Sequence, residues 1–357
     1  MSLRDLPHPF SRPEAEAAGI GRRRLEELLR LAKVRRVRRG WYVVMEDPAP
    51  PSAHWEQLRS AHLDQVREHL RRLPGHVASH TSAALLHGYS VLISPHSPIE
   101  LTTVDRCPRS WREDRLVVHH SDSHDIPVTQ IDGLRVTSAA RTAADTLRSR
   151  RLPHGTALVD QALRSGVLSK RQLLDELSTQ RRWVGRPRAL AAVALGDPRR
   201  ETWLESYSFV ALYERGVPMP IPQMNMYDDQ RNFVGRVDGL DPEKGIFFEA
   251  DGHDKYFLDM NPTTSPEESA LRRLHQEKQR HGRIERLGLR GVRWTSDEIL
   301  NKAERVASRV MEVVREPIPE IRGYAGWEGE LRRLPFEVER SGVDLHSIRT
   351  RRRRRAA

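Results

Sequence analysis

Residues 236–255, RVDGLDPEKGIFFEADGHDK, constrain the fold more tightly than any other part of the chain. A short apolar run over residues 233–237 leads into Asp238. Asp241, Pro242 and Gly245 are residue types that turn a chain. A second apolar run, Gly245 to Phe248, ends in Glu249-Ala250-Asp251-Gly252. Two such runs joined by a turn predict a β-hairpin. Glu249 and Asp251 are two positions apart, so on a strand they share a face. Asp238, on the neighbouring strand, reaches that face. Three carboxylates in one place repel each other unless a cation sits among them. Oxygen-only donors suit Mg²⁺ or Mn²⁺, the ions that activate water for phosphodiester cleavage. Asp and Gly at strand ends also serve simply to turn the chain, and the hairpin alone leaves both readings open.

The flanking segments narrow the choice. Upstream, Glu201-Thr-Trp-Leu-Glu205-Ser opens a predicted helix; downstream, Glu277-Lys278-Gln279-Arg280 lies on a basic helix ending at Gly288, and a strand follows over residues 291–294. The order is then a helix with Glu205, a strand with Asp238, a strand with Glu249 and Asp251, a helix with Lys278 and Arg280, and a last strand. This order resembles the PD-(D/E)XK nuclease core in its Vsr-like branch, where the second motif reads E-x-D-G. The resemblance covers roughly residues 201–300. It implies that Asp238 and Glu249 are metal ligands for Mg²⁺ or Mn²⁺. It places Asp251 where the wider family has a lysine, and Glu205 as the helix-borne acid that helps hold the metal or its water. Lys255 or Lys278 then supplies positive charge, and Arg280 contacts phosphate.

The rest of the chain sets bounds on its partners. It has 357 residues, enough for two or three domains, and a formal net charge of +11. That charge favours a polyanionic partner, and an arginine-rich composition also follows from a GC-rich genome. One cysteine, Cys107, excludes an internal disulfide framework and a cysteine-based zinc finger, and suits a reducing cytoplasm. No stretch approaches the ~20 apolar residues of a membrane span, so no membrane partner is expected, and the N-terminus carries no signal-peptide core.

Ser11-Arg12-Pro13 predicts a helix start, with Ser at the cap and Pro in the first turn. A second helix is expected from about residue 21 to 33, with Leu25, Leu28, Leu29 and Ala32 on one face. Residues 34–44, VRRVRRGWYVV, then read as a hairpin turning near Gly40. Two short helices and a basic hairpin look like a winged helix-turn-helix. Arg22, Arg23 and Arg24 would enter the major groove, and Arg35, Arg36, Arg38 and Arg39 would line the wing against phosphate. The bland alternative is a protein-interaction module with a solvated basic face.

Beyond a proline-rich linker at residues 47–51, a helix is expected over residues 54–72 and strands over 99–103, 115–119 and 134–137. His80 and His87 share a helix face, and His119, His120 and His124 form a second cluster. The first pair reads as packed or solvated, with no acid or cysteine nearby at ligand spacing, and the second, a possible metal cluster, reads as loop composition. Arg141 and Asp145 are four apart and pair along a helix. The segments rGWYVV, SHTSAALLHG, IELT, GLRVTSAARTAADTL and LVDQALRSGVLS together resemble the AbiEi family of antitoxin-like transcriptional regulators, over roughly residues 10–300. Many members of that family carry a C-terminal Vsr-like domain. The resemblance implies a winged helix that binds promoter DNA, and a nucleotidyltransferase toxin that is countered without a stable complex.

The expected architecture is an α+β multidomain chain. A winged helix-turn-helix covers residues 1–46 and a mixed α/β middle domain 52–197. An α/β/α PD-(D/E)XK-like core covers 198–310, and a tail over 316–357 ends in a disordered arginine run. The expected function is a DNA-binding AbiEi-type regulator acting on double-stranded DNA in the cytoplasm. The alternatives are an active Mg²⁺-dependent DNA endonuclease and a non-catalytic interaction module.

Overall fold

A computed structural model of the chain describes residues 3, 6–45, 54–104, 109–121, 126–252, 266–327, 329–338 and 343. The chain is a mixed α/β, multidomain protein that divides into two compact units, residues 1–149 and 150–357. No helix among the described residues is long and apolar enough to cross a membrane. The linker at 47–51, Cys107, His124, Lys255 and the terminal arginine run lie outside the described residues.

The first unit begins with β1 (Phe10–Ser11), α1 (Arg12–Ala17), α2 (Arg22–Arg30), β2 (Val34–Arg38) and β3 (Trp41–Val44). The three strands form an antiparallel sheet in the order β1-β3-β2. Ser11 caps α1 as expected, and Glu14 completes a capping box, donor and acceptor exchanged across the first turn. Phe10, Leu25, Leu28, Val34 and Tyr42 form the small core beneath.

The rest of this unit comprises α3 (His54–Arg72), β4 (His76–Ala78), α4 (His80–Leu86), β5 (Ile99–Thr103), β6 (Trp111–Glu113), β7 (Leu116–His119), β8 (Val128–Ile131), β9 (Leu134–Thr137) and α5 (Ala139–Ser149). Its six strands order as β6-β7-β5-β4-β9-β8. The central β5 is parallel to β7 and antiparallel to β4. All five residues of β5 are buried, as befits a strand covered on both faces. Ile99, Leu101, Val118 and Val136 pack with Val66, Ala83 and Leu85 of the helices.

The second unit opens with three helices, α6 (Leu152–Arg164), α7 (Lys170–Thr179) and α8 (Arg186–Leu195). The expected middle segment of 52–197 is therefore shared between the two units. There follow α9 (Trp203–Tyr213), β10 (Ile221–Tyr227), β11 (Phe233–Asp241), β12 (Ile246–Asp251), α10 (Pro266–Glu285), β13 (Arg290–Thr295), α11 (Ser296–Asn301), α12 (Ala303–Arg315), β14 (Tyr324–Trp327) and β15 (Glu330–Arg333). The sheet order is β13-β12-β11-β10-β14-β15. The expected hairpin is β11–β12, turning over residues 242–245. β13 pairs parallel to β12, which requires the crossover that α10 supplies. The aromatic segment around Tyr324 forms β14, paired with β10 on one side and with the opposite edge strand, β15, on the other.

Alternation sorts β12 between two cores. Ile246, Phe248 and Ala250 pack with Leu204 and Phe209 of α9 and with Trp294. Phe247 packs with Ile284 and Leu287 at the end of α10. Gly291 lets α10 close on the sheet: a Cβ there would lie 2.6 Å from the ring of His281 and 2.6 Å from Phe247.

A buried ion pair holds α6 to the entry of α9. Arg200 Nη1 lies 2.8 Å from Asp160 Oδ2, with side chains 2% and 0% exposed. Asp160 Oδ1 accepts from the Asp197 amide at 2.7 Å, and Arg200 also donates to the Leu195 carbonyl. Replacing Asp160 by Ala leaves a buried guanidinium without its counter-charge, a loss of about 3–5 kcal/mol. Urea unfolding followed by tryptophan fluorescence is expected to show that loss for Asp160→Ala. A change under about 1 kcal/mol would mean that water reaches Arg200.

Candidate functional site

The acids expected at the hairpin converge in part. Asp238 sits mid-strand in β11, and its Oδ2 accepts from the Ala250 amide of β12 at 2.8 Å. Its charge acts on both Glu249 and Glu205. Glu249 is 4% exposed. Burial, reinforced by Asp238, pushes its carboxyl up to about 6, although Arg280 pulls the other way.

Each acid has a different set of partners. Arg280 Nη2 lies 2.8 Å from Glu249 Oε2, and the same guanidinium donates to the Arg236 carbonyl of β11. Glu249 Oε1, by contrast, is buried and accepts no hydrogen bond. Glu205 is saturated. Its Oε1 accepts from Thr202 Oγ at 2.8 Å, and its Oε2 from the Glu201 amide at 2.9 Å and Gln223 Nε2 at 2.8 Å. Thr202 in turn caps α9 by accepting from the Glu205 amide. Burial and Asp238 raise the Glu205 pKa despite these donors. Gln223 is buried in mid-strand at φ 56°, a left-handed conformation that costs a non-glycine residue about 1–3 kcal/mol. That strain lies at the acid centre.

Asp251 draws its cation from a distant stretch of the chain. Arg293 Nε lies 3.0 Å from Asp251 Oδ2. Arg293 Nη2 lies 3.0 Å from Glu277 and 3.8 Å from Glu249. Parallel register puts Arg293 directly opposite Glu249. Sequence reading missed Arg293, which is 42 positions from Asp251 along the chain. Lys278 was expected to supply positive charge. It is exposed, while Glu277 and Arg280, three apart on α10, turn to the sheet. Helical phase sets Lys278 about 100° away from Glu277. Lys255 lies outside the described residues.

The arginines of the first unit also divide. Arg22 pairs with Glu26 at 2.8 Å and Arg24 with Glu27 at 2.6 Å, both along α2. Arg35 pairs with Asp64, and Arg38 lies 3.6 Å from Glu68, both acids of α3. Expected as phosphate contacts, Arg35 and Arg38 instead neutralise acids that are 5% and 1% exposed. Arg23, Arg36 and Arg39 remain exposed.

A further cluster was not expected. His80, Glu100 and His119 bring one ligand atom each within 4.8 Å of one another, the grouping of this kind found among the described residues. The sequence reading found no acid near the histidines. Glu100 reaches His80 because β5 runs past the start of α4, and His119 because β5 and β7 are parallel. His87 is not a member. It ends α4 with its Nε2 2.8 Å from the Thr137 carbonyl.

No protein-family model matches the chain. Two uncharacterized proteins of Mycobacterium tuberculosis, from strains CDC 1551 and H37Rv, are each 24% identical to it over 237 residues. The match covers 66% of this chain and 80% of each relative.

The raised Glu249 pKa has a signed consequence. The folded value, about 6, exceeds the ordinary 4.5, so the folded chain binds this proton more tightly than the unfolded chain. Stability from this group is full below pH 4.5 and is lost as the pH rises through 6, by about 2 kcal/mol. Glu249→Gln lacks the titration. In chelator-treated buffer the variant is expected to gain about 2 kcal/mol relative to wild type between pH 4.5 and 7. A difference independent of pH would show Glu249 to be solvated.

Proposed function

We propose that the chain is a DNA-binding regulator of the AbiEi type whose second unit carries a Vsr-like nuclease fold. The observation that carries this reading is the arrangement at the N-terminus. A short strand, two helices and a hairpin, with strand order β1-β3-β2, support a helix-turn-helix followed by a wing. Arg23 of α2 and Arg36 and Arg39 of the hairpin stay exposed, so they are the side chains available to DNA. Arg22 and Arg24 keep partial access at the exposed surface of α2, where pairs of this kind are weak. The net charge of +11 is of the sign a polyanion needs. A cognate nucleotidyltransferase toxin belongs to the same reading and touches none of this geometry.

The test is the salt dependence of duplex binding. Each phosphate contact contributes about 0.9 to the slope of log affinity against log salt. The triple variant Arg23→Ala, Arg36→Ala, Arg39→Ala is expected to lower that slope by up to about 3 and to weaken binding at every salt concentration. An unchanged slope would remove these arginines from the interface.

The buried oxygen of Glu249 favours a second reading, a metal-dependent endonuclease. The order α9, three antiparallel strands, α10, parallel β13 supports the PD-(D/E)XK resemblance. Glu249 Oε1, an acceptor with no donor in a buried site beside Asp238, is the kind of oxygen that Mg²⁺ or Mn²⁺ takes. Asp238 and Glu249 would hold the ion, which would supply a more acidic bound water. Arg280 holds Glu249 in place from the opposite oxygen, and Arg293 neutralises Asp251. Glu205 is a positioning residue in this reading, fixed by Thr202 and Gln223. Supercoiled plasmid with Mg²⁺ or Mn²⁺ decides between the readings. Nicking by wild type, lost in Asp238→Asn and Glu249→Gln, supports the nuclease. Intact plasmid under conditions where DNA is bound leaves the second unit non-catalytic.

A further inference from the structure

The first unit holds a set of side chains that neither DNA binding nor the acidic centre uses. His80 opens α4, Glu100 is the second residue of β5, and His119 ends β7. Their ligand atoms lie within 4.8 Å of one another. Two donors on one tetrahedral ion, each at about 2.0–2.2 Å, are about 3.3–3.6 Å apart. Side-chain movement of roughly 1–1.5 Å therefore brings the three onto a single centre.

The surroundings orient each group. Glu100 Oε2 accepts from the Thr81 amide at 3.0 Å, which leaves Oε1 toward His119 Nε2 at 3.2 Å. The Glu100 backbone is held on both sides: its amide donates to Ser82 Oγ, and its carbonyl accepts from the Ser79 amide. His80 Nδ1 lies 3.0 Å from Ser79 Oγ, so Nε2 is the nitrogen open to an ion. A hydrogen bond on the far ring nitrogen is how proteins fix metal-binding histidines. His80 adopts φ 48°, so the chain accepts left-handed strain at this ligand. His80 and Glu100 are 6% and 8% exposed, whereas the His119 side chain is 26% exposed and opens the cluster to solvent.

We propose that His80, Glu100 and His119 bind a divalent first-row transition metal, with Zn²⁺ as the representative ion. Two imidazoles and one carboxylate are a donor set for Zn²⁺, Co²⁺ or Ni²⁺ rather than for Mg²⁺ or Ca²⁺, which prefer oxygen alone. Three protein ligands leave a fourth position open, as in sites that bind water or a substrate group. The imidazole rings are stacked, with centroids 3.7 Å apart and planes 21° from parallel. Nitrogen lone pairs lie in the ring planes, so parallel rings do not converge on one ion. The His119 ring, which faces solvent, turns about its Cβ–Cγ bond on binding, and the stack opens.

The test uses untagged full-length protein stripped of metal by a chelator and titrated with Zn²⁺, then with Co²⁺. Wild type is expected to bind one equivalent that His119→Ala and Glu100→Gln bind at least about 10-fold more weakly. Bound Co²⁺ is expected to show the intense visible bands of a four-coordinate centre, reduced in both variants. Circular dichroism establishes that the variants fold, and His119→Gln replaces the alanine variant if that one unfolds. Asp238→Asn is expected to retain the equivalent, which separates this site from the acidic centre of the second unit. Equal Zn²⁺ stoichiometry and affinity in wild type and the folded His119 and Glu100 variants would overturn the proposal.

Discussion

A carboxylate that is 4% exposed needs a cation close by if it is to ionise, and at Glu249 that cation is Arg280, 2.8 Å from Oε2. The same guanidinium donates to the Arg236 carbonyl. One side chain of α10 therefore grips both strands of the β11–β12 hairpin. Arg280 can lie across β11 because Gly235 has no Cβ; one built there would stand 3.1 Å from Arg280 Cγ. The crossover helix, the hairpin and the acidic centre thus share one electrostatic contact. Arg280 does not fully compensate Glu249, whose carboxyl remains up at about 6 because burial and Asp238 outweigh the ion pair. The centre retains a demand for further positive charge, which a proton meets below about pH 6.

The acids of this centre have unequal freedom. Glu205 is committed to capping α9 and to Gln223. Asp251 is committed to Arg293. Asp238 gives one oxygen to the Ala250 amide, and Glu249 keeps one oxygen without a partner. The pair named from the sequence as metal ligands, Asp238 and Glu249, is the pair with capacity left over. The first unit distributes charge differently. There the buried acids Asp64 and Glu68 are met by Arg35 and Arg38, and the remaining arginines of the hairpin face solvent.

Local periodicity explains what was legible beforehand. The hairpin, α3 and β5 follow from patterns contained within each segment, and β5 spans the same residues in the sequence reading and the structure. β10 escaped because IPQMNMY has a proline, little alternation and a left-handed glutamine at Gln223. Its role as the central partner of β11 and β14 comes from pairing, which no local pattern encodes. The same distinction separates the site residues. Glu249 and Asp251 share a face by strand period alone. Arg293 joins them only through the parallel register of β13, and Glu100 joins His80 and His119 only through the strand order of the six-stranded sheet of the first unit. Composition places Lys278 on a helix without giving its phase, and that phase leaves it exposed.

The pairing of β12 with β13 sets Glu249 opposite Arg293 and Ala250 opposite Trp294. Side chains alternate faces with each residue, so a slip of one position would exchange the two. Trp294, the largest side chain in the core and wholly buried, would turn out toward the acids, and the guanidinium of Arg293 would enter an apolar core against Phe248 and Phe209. Both displacements are unfavourable, and they are unfavourable together. One dipeptide therefore works as an alignment key: the same two adjacent residues that complete the core and neutralise the acids also reject misaligned assembly of the sheet.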